Sequence, residues 1–437
     1  MIYISTRNNK KEYNFEQIMR LGIPDDGGLF IPIQIPKLPK SYIDDLVNKS
    51  FEQIAFDIAR LYIDTTIFTD DELKEIITNA LNINLPLKVI TNDLGIFELF
   101  HGPTGAFKDF GARFMAYSLN ALQKKHDNKV TIVTATSGDT GAAVASAFHN
   151  IQHINVFILY PKDRVSAFQE KQIAGLGDNI HALEIDGTFD DCQDIVKKCF
   201  ADKEFKTKLN LTSSNSVNFS RLIPQIIYYF EAYKRACMIG HSKISIIVPS
   251  GNFGNITGGV YALKMGLPIH NLVAATNAND VFPNYIHQGI YSPEKVSKKT
   301  ISNAMDVANP SNIERLFSIY RSTWNNIAKD IHSNSIEDNI TKLCIENFYK
   351  KYNYLPDPHT AVGISNYYLE NMTHSDVFFI VFATAHPYKF KEVIQSISPD
   401  IQVSGNNYTQ QYESVNIKKT TFKPDLIEIK KFITKLS

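Results

Sequence analysis

The chain has 437 residues, 44% of them hydrophobic, enough for two or three domains around a large core. Its 45 basic and 45 acidic side chains cancel to a formal charge of zero, which gives no reason to expect nucleic acid or an anionic membrane surface as a partner. The four cysteines (Cys192, Cys199, Cys237, Cys344) form neither a Cys-x-x-Cys pair nor a zinc-spaced cluster with histidine, so free thiols in a reducing compartment and no metal centre are expected.

Met1 to Arg7 show no basic segment followed by an apolar one, and no apolar run approaches the roughly 20 residues that cross a bilayer. A soluble cytoplasmic protein is the expectation. Residues 1 to about 90 open with a Gly/Pro-rich stretch around Pro24-Asp25-Asp26-Gly27-Gly28 and continue with helical patterns over about 41–62 and 70–81. Leu85-Pro86-Leu87 marks a boundary. Beyond it, short apolar runs alternate with amphipathic stretches. Strands are predicted over about 130–135, 156–160, 182–185, 244–248, 272–275 and 377–382. Helices are predicted over about 110–124, 140–149, 164–175, 188–207, 219–238 and from 256, with a polar surface helix over 418–435. Nearly continuous apolar strands separated by helices mean parallel sheets covered on both faces, an α/β fold. The expected blocks are an N-terminal domain over 1–90, an α/β region over 91–235, and a second α/β region with C-terminal helices over 236–437.

The segments that carry chemistry follow strands, where open parallel sheets bind ligands. Lys108 lies between Phe107 and Phe110, after the turn Gly102-Pro103-Thr104-Gly105 and ahead of a helix. Apolar surroundings favour the neutral amine, which can attack a carbonyl and form a Schiff base. A lysine beside an aspartate at a helix start is equally a common solvated residue. Ser250-Gly251-Asn252-Phe253-Gly254-Asn255 joins a strand to a helix, and its glycines let backbone N–H groups converge. It reads as a phosphate site or as an ordinary turn, but as neither a Walker A loop nor a dinucleotide fingerprint. Thr136-Ser137-Gly138-Asp139-Thr140 offers hydroxyls, a carboxylate and helix-start amides, a set suited to an α-carboxylate. Capping explains one such residue well and five in a row poorly. Asn215, Ser216 and Arg221 gather at another helix start, where the arginine fork either grips a phosphate or faces solvent.

Together these segments resemble the threonine synthase family, in its longer form with an N-terminal extension. That family belongs to the pyridoxal-phosphate enzymes of the tryptophan-synthase-β fold, fold type II. The resemblance rests on Asp26-Gly-Gly-Leu-Phe30, Leu99-Phe-His-Gly-Pro-Thr104, Ala106-Phe-Lys-Asp-Phe110 and Thr134-Ala-Thr-Ser-Gly-Asp-Thr-Gly-Ala-Ala143. It continues through Val248-Pro-Ser-Gly-Asn-Phe-Gly254, Ala274-Ala-Thr-Asn277, Ser302-Asn-Ala-Met-Asp306 and Thr384-Ala-His-Pro387. It implies two α/β domains with a mainly helical extension and pyridoxal 5'-phosphate in the cleft between them.

Lys108 would hold the cofactor as a Schiff base, with Gly251, Asn252, Phe253, Gly254 and Asn255 around its phosphate. Asp139 would lie near the ring's phenolic oxygen and Thr384 would partner the pyridine nitrogen. Thr136, Ser137 and Thr140 would take the substrate carboxylate, and Asn215, Ser216 and Arg221, with Thr140, the phosphate of O-phospho-L-homoserine. The implied enzyme is a monomer or homodimer making L-threonine and phosphate. The alternatives are a serine/threonine dehydratase of the same fold, whose substrates lack the γ-phosphate, and a non-catalytic relative. Intact Lys108 and Gly251–Asn255 count against the second.

Overall fold

Apolar runs buried on both faces become the strands of two sheets. The computed structural model describes residues 1–125, 129–372, 376–405, 410–412 and 414–437. One sheet has six strands, in the order Ile331–Ser335, Ile269–Thr276, Ile244–Pro249, Phe378–Ala383, Leu94–Glu98 and Leu87–Thr91. It is parallel except for the last pair. The other has five parallel strands, in the order Lys419–Phe422, Ile180–Ile185, Ile154–Pro161, Val130–Ala135 and Leu211–Thr212. Every residue of Ile244–Pro249, Phe378–Ala383 and Val130–Ala135 is buried, as sheets covered by helices on both faces require.

The N-terminal extension is a two-stranded ribbon (Tyr3–Ser5 with Phe30–Pro32) and the helices Phe15–Leu21, Phe51–Tyr62 and Asp70–Ala80. Each of these helices opens on a capping box, formed by Asn14 with Gln17, Ser50 with Gln53, and Thr69 with Glu72. Ser50 therefore divides the predicted 41–62 helix. Arg113 donates from Nε to the Ala80 carbonyl and from Nη2 to that of Asn79, so it satisfies a helix C-terminus and ties the extension to Lys108–Gln123. No helix among the described residues is long and apolar enough to cross a membrane.

Sheet membership departs from the contiguous blocks 1–90, 91–235 and 236–437. Leu87–Thr91 and Leu94–Glu98 join strands from the last third of the chain, and Lys419–Phe422 joins the five-stranded sheet. The expected helix over 418–435 is accordingly that edge strand followed by the helix Leu426–Leu436, which Asp425 caps. The loops carrying Thr136–Thr140, Asn215–Arg221, Gly251–Asn255 and Thr384 all leave the carboxyl ends of parallel strands.

Candidate active site

Lys108 is the first residue of the helix Lys108–Gln123, and its loop is fixed by hydrogen bonds to a distant strand end. Leu94–Glu98 and Phe378–Ala383 are neighbours in register, and the loops that follow them stay paired. The Phe107 amide donates to the Thr384 carbonyl, and the His386 amide to that of Gly105, both at 2.9 Å. Lys108 and Thr384 are thereby brought to the same strand ends. Within the loop, buried Asp109 accepts from the Thr104 amide at 2.9 Å and hydroxyl at 2.7 Å.

The Lys108 ammonium stands 3.9 Å from Asp139 Oδ2, which is 4% exposed. On the other side, the ammonium of fully buried Lys389 lies 3.2 Å from Asp139 Oδ1, and Gln169 Nε2 donates to the same oxygen at 2.9 Å. Burial holds Lys108 below the ordinary lysine range; Asp139 opposes that shift, while Lys389 and Arg221 add to it. Burial alone would raise Asp139, yet Lys389 and Lys108 hold it well below the usual carboxylate range. Lys389 went unnoticed in the sequence, where it is one lysine in the turn Pro387–Phe390 with no motif around it.

In the glycine-rich loop, Phe253 adopts a left-handed φ of 60° directly before the helix Gly254–Met265. This is the geometry in which successive backbone N–H groups converge on an anion. Gly251 serves a close approach, since a Cβ there would sit 2.7 Å from the Cα of Met305. Asn252 Nδ2 donates to Ser216 Oγ at 2.7 Å, its Oδ1 accepts from the Ser311 amide, and its carbonyl accepts from Asn312. Asn255 Oδ1 accepts from the hydroxyls of Tyr228 and Tyr229, which leaves its buried Nδ2 without a partner.

The hydroxyl clusters divide into supports and free groups. Thr136 is 1% exposed, and its Oγ1 accepts from the amides of Gly138 and Gly141 and donates to the Gly138 carbonyl. It therefore braces the turn, and its hydroxyl is engaged within it. Ser137 and Thr140 are half-buried. Asn215 Oδ1 accepts from Thr134, and Ser216 Oγ accepts from Asn252 and Asn312. Arg221, 2% exposed, donates to the carbonyls of Ser214 and Lys108, the latter at 3.3 Å, and its Nε has no partner. Burial lowers its guanidinium to about 10, with Asp109 opposing.

The extension braces this cluster. The Met19 carbonyl accepts from Thr212 Oγ1 and Asn218 Nδ2, each at 3.0 Å. Fully buried Arg315 donates to the carbonyls of Phe30, Ser216 and Val217, and so joins the ribbon to the Asn215–Arg221 segment.

A sequence profile described as "Pyridoxal-phosphate dependent enzyme" matches residues 97–380, and one described as "Threonine synthase N terminus" matches residues 2–81. The chain is 42% identical to the threonine synthase of Buchnera aphidicola subsp. Acyrthosiphon pisum over 395 residues, 90% of each chain. It is 39% identical to that of Escherichia coli K12 over 392 residues, again 90% of each. The crystal structure of threonine synthase from Escherichia coli matches with a TM-score of 0.92 and 35% identity over the whole of both chains. The pyridoxal-phosphate-bound threonine synthase from Brucella melitensis gives a TM-score of 0.92 at 31% identity, covering 100% of this chain and 99% of its own. Maize serine racemase, at 16% identity and a TM-score of 0.55, shares the fold. Pyridoxal phosphate is the cofactor these matches support. The site fits such a group with a half-buried amine at Lys108, the left-handed loop at Phe253 and the unpartnered Asn255 Nδ2. The chain belongs to the threonine synthase family of pyridoxal-phosphate-dependent lyases.

Proposed function

We propose that this chain converts O-phospho-L-homoserine and water to L-threonine and inorganic phosphate, the last step of threonine biosynthesis. The observation that carries the substrate choice is Arg221. It is a buried guanidinium that forms no ion pair among the described residues, held against the Lys108 carbonyl with Nε unpartnered. A cation so placed calls for a bound anion, and the γ-phosphate supplies one that serine or threonine would not.

Bound pyridoxal phosphate supplies the electron sink for carbanion chemistry. Lys108 would attach it, with the backbone of Gly251–Asn255 around its phosphate, Asp139 beside the phenolic oxygen and the Thr384 hydroxyl on the pyridine nitrogen. A hydroxyl partner permits a neutral ring, whereas a carboxylate would keep it protonated. Ser137 and Thr140 would hold the substrate carboxylate, and Asn215, Ser216 and Arg221 the phosphate. Lys108 Nζ, whose basicity burial lowers, takes the α-proton and returns one at the end. Between those transfers the substrate loses a proton from Cβ and phosphate from Cγ, gains a proton at Cγ, and accepts hydroxide from water at Cβ. Four free cysteines support a cytoplasmic setting, where the enzyme would act as a monomer or homodimer.

The test is incubation of the purified holoprotein with O-phosphohomoserine and assay of both products. Equimolar threonine and phosphate are expected. Phosphate release with 2-oxobutyrate in place of threonine would overturn the assignment.

A further inference from the structure

Lys389 has no part in the reaction outlined above, yet its ammonium is fully buried. Its Nζ lies 3.2 Å from Asp139 Oδ1 and donates to the Thr104 carbonyl at 2.8 Å and to Gln172 Oε1 at 2.6 Å. Two hydrogen bonds and one ion pair thus surround the ammonium. Its partners are themselves held, since Gln172 Nε2 donates to the Thr104 carbonyl and Gln169 Nε2 to Asp139 Oδ1. A buried lysine held from three sides in this way is fixed in place.

Asp139 thus has cations of two kinds. Lys389 is sealed and ion-paired with Oδ1. Lys108, at 3.9 Å from Oδ2 and 18% exposed, is the reactive amine, whose charge changes whenever it is deprotonated or joined to a carbonyl. Were Lys108 the sole counter-ion, each such change would leave an unpaired carboxylate in a buried site, and the carboxylate would take up a proton or turn away. We propose that Lys389 is a positioning residue, a fixed counter-ion that keeps Asp139 ionised and its Oδ2 aimed at Lys108 while Lys108 changes charge. The proposal rests on Lys108 being the reactive amine.

The surrounding charges agree in sign. Lys108 feels burial first, then Asp139 raising it, and Lys389 and Arg221 lowering it. Asp139 is lowered against burial by Lys389, Lys108 and His359 in that order. Lys389 in turn acts on Asp109 and His386.

In the apoprotein, labelling of Lys108 by a small amine-reactive reagent across pH, followed by peptide mass, reports this one amine. Lys389→Met should move the labelling midpoint to higher pH, because Asp139 then serves Lys108 alone. Asp139→Asn should move it to lower pH. The double variant removes one charge of each sign and should return towards the parent midpoint, and Lys389→Arg should stay near it. In the holoprotein, the pH midpoint of the bound cofactor's visible absorption should follow the same order. Lys389→Met should also lose cofactor on the order of tenfold faster. A packing role alone would leave both midpoints unmoved.

A folded Lys389→Met protein with an unchanged or lowered midpoint would overturn the proposal. So would a double variant whose labelling midpoint stays at that of Lys389→Met. Should Lys389→Met be insoluble, recovery of soluble protein in the double variant supports the charge pairing, and its failure refutes it. A reducible cofactor adduct mapped to another lysine would instead remove the underlying assignment of Lys108, and peptide mass tells the two failures apart.

Discussion

Replacing Arg221 with alanine should lower kcat/KM for a phosphorylated substrate about 10- to 150-fold, from roughly 1.5–3 kcal/mol for a charge-assisted hydrogen bond. In the folded protein the fork touches backbone carbonyls at Ser214 and Lys108 and leaves Nε unpartnered. Asp109 is the carboxylate whose charge reaches it, but both Asp109 oxygens are bonded to Thr104. At about 10 the guanidinium stays charged at neutral pH, so the missing partner is an anion. Truncation also orphans two carbonyls and opens a cavity, so lost stability has to be separated from lost recognition.

Two measurements separate them, namely the inhibition constant for inorganic phosphate and thermal unfolding. The first should weaken in step with kcat/KM, while the second registers only folding. Arg221→Lys keeps the charge without the planar fork and should fall between parent and alanine. Gly111→Ala provides a check that leaves the guanidinium in place, because its Cβ would lie 2.7 Å from Arg221 Nε and 2.8 Å from the Arg221 carbonyl oxygen. Displacement of the fork should lower kcat/KM in the same direction. A folded Arg221→Ala protein with unaltered kcat/KM and unaltered phosphate inhibition would remove this residue from the site.

Lys108→Ala should fold and form no borohydride-reducible cofactor adduct and no threonine, as peptide mass and product assay would record. Thr384→Asp should favour a protonated pyridine ring and divert product to 2-oxobutyrate; an unchanged spectrum and product ratio would dismiss Thr384 as the nitrogen partner. Arg315→Met leaves the carbonyls of Phe30, Ser216 and Val217 without their donor, so stability should fall by at least about 3 kcal/mol in urea unfolding, with KM for the phosphorylated substrate raised. Burial lowers His386 to about 4. An unfolded histidine protonates near pH 6.5, so the folded state loses stability as pH falls from about 6.5 to 4, by about 3 kcal/mol. His386→Gln should flatten that part of the profile, and an identical pH dependence in the variant would refute the assignment.

What the sequence disclosed about this protein follows the range over which each signal acts. Gly251–Asn255 and Asp139–Thr140 were legible because strand, turn and helix start lie within a dozen consecutive residues, and their backbone geometry is decided there. Arg113 offered no such signal, since its acceptors Asn79 and Ala80 lie on another helix. Three of the strands that were missed lack a readable apolar run. Lys419–Phe422 is an edge strand with three of its four residues exposed, so it carries no apolar run, and Leu211–Thr212 is too short to show a period. Leu94–Glu98 is fully buried, but Gly95 interrupts its run and its parallel partner lies some 280 residues on.

The hydroxyl-rich turn at Thr136 marks a different limit. Composition shows that hydroxyls are present but not which way they face, and two amides of the turn itself, at Gly138 and Gly141, claim the Thr136 oxygen. Lys389 combines both obstacles. In His386-Pro387-Tyr388-Lys389-Phe390 it reads as a lysine at a helix start, where solvation is the ordinary outcome. Its burial follows from sheet order, because pairing of Leu94–Glu98 with Phe378–Ala383 sets the Thr104 loop against Pro387–Phe390, and Gln169, Gln172 and Asp139 close over the ammonium from the other sheet. A buried lysine whose acceptors come from three separate segments acquires its chemistry only when those segments meet. That is why a charge adjacent to the reactive amine can be the residue least visible in the chain that encodes it.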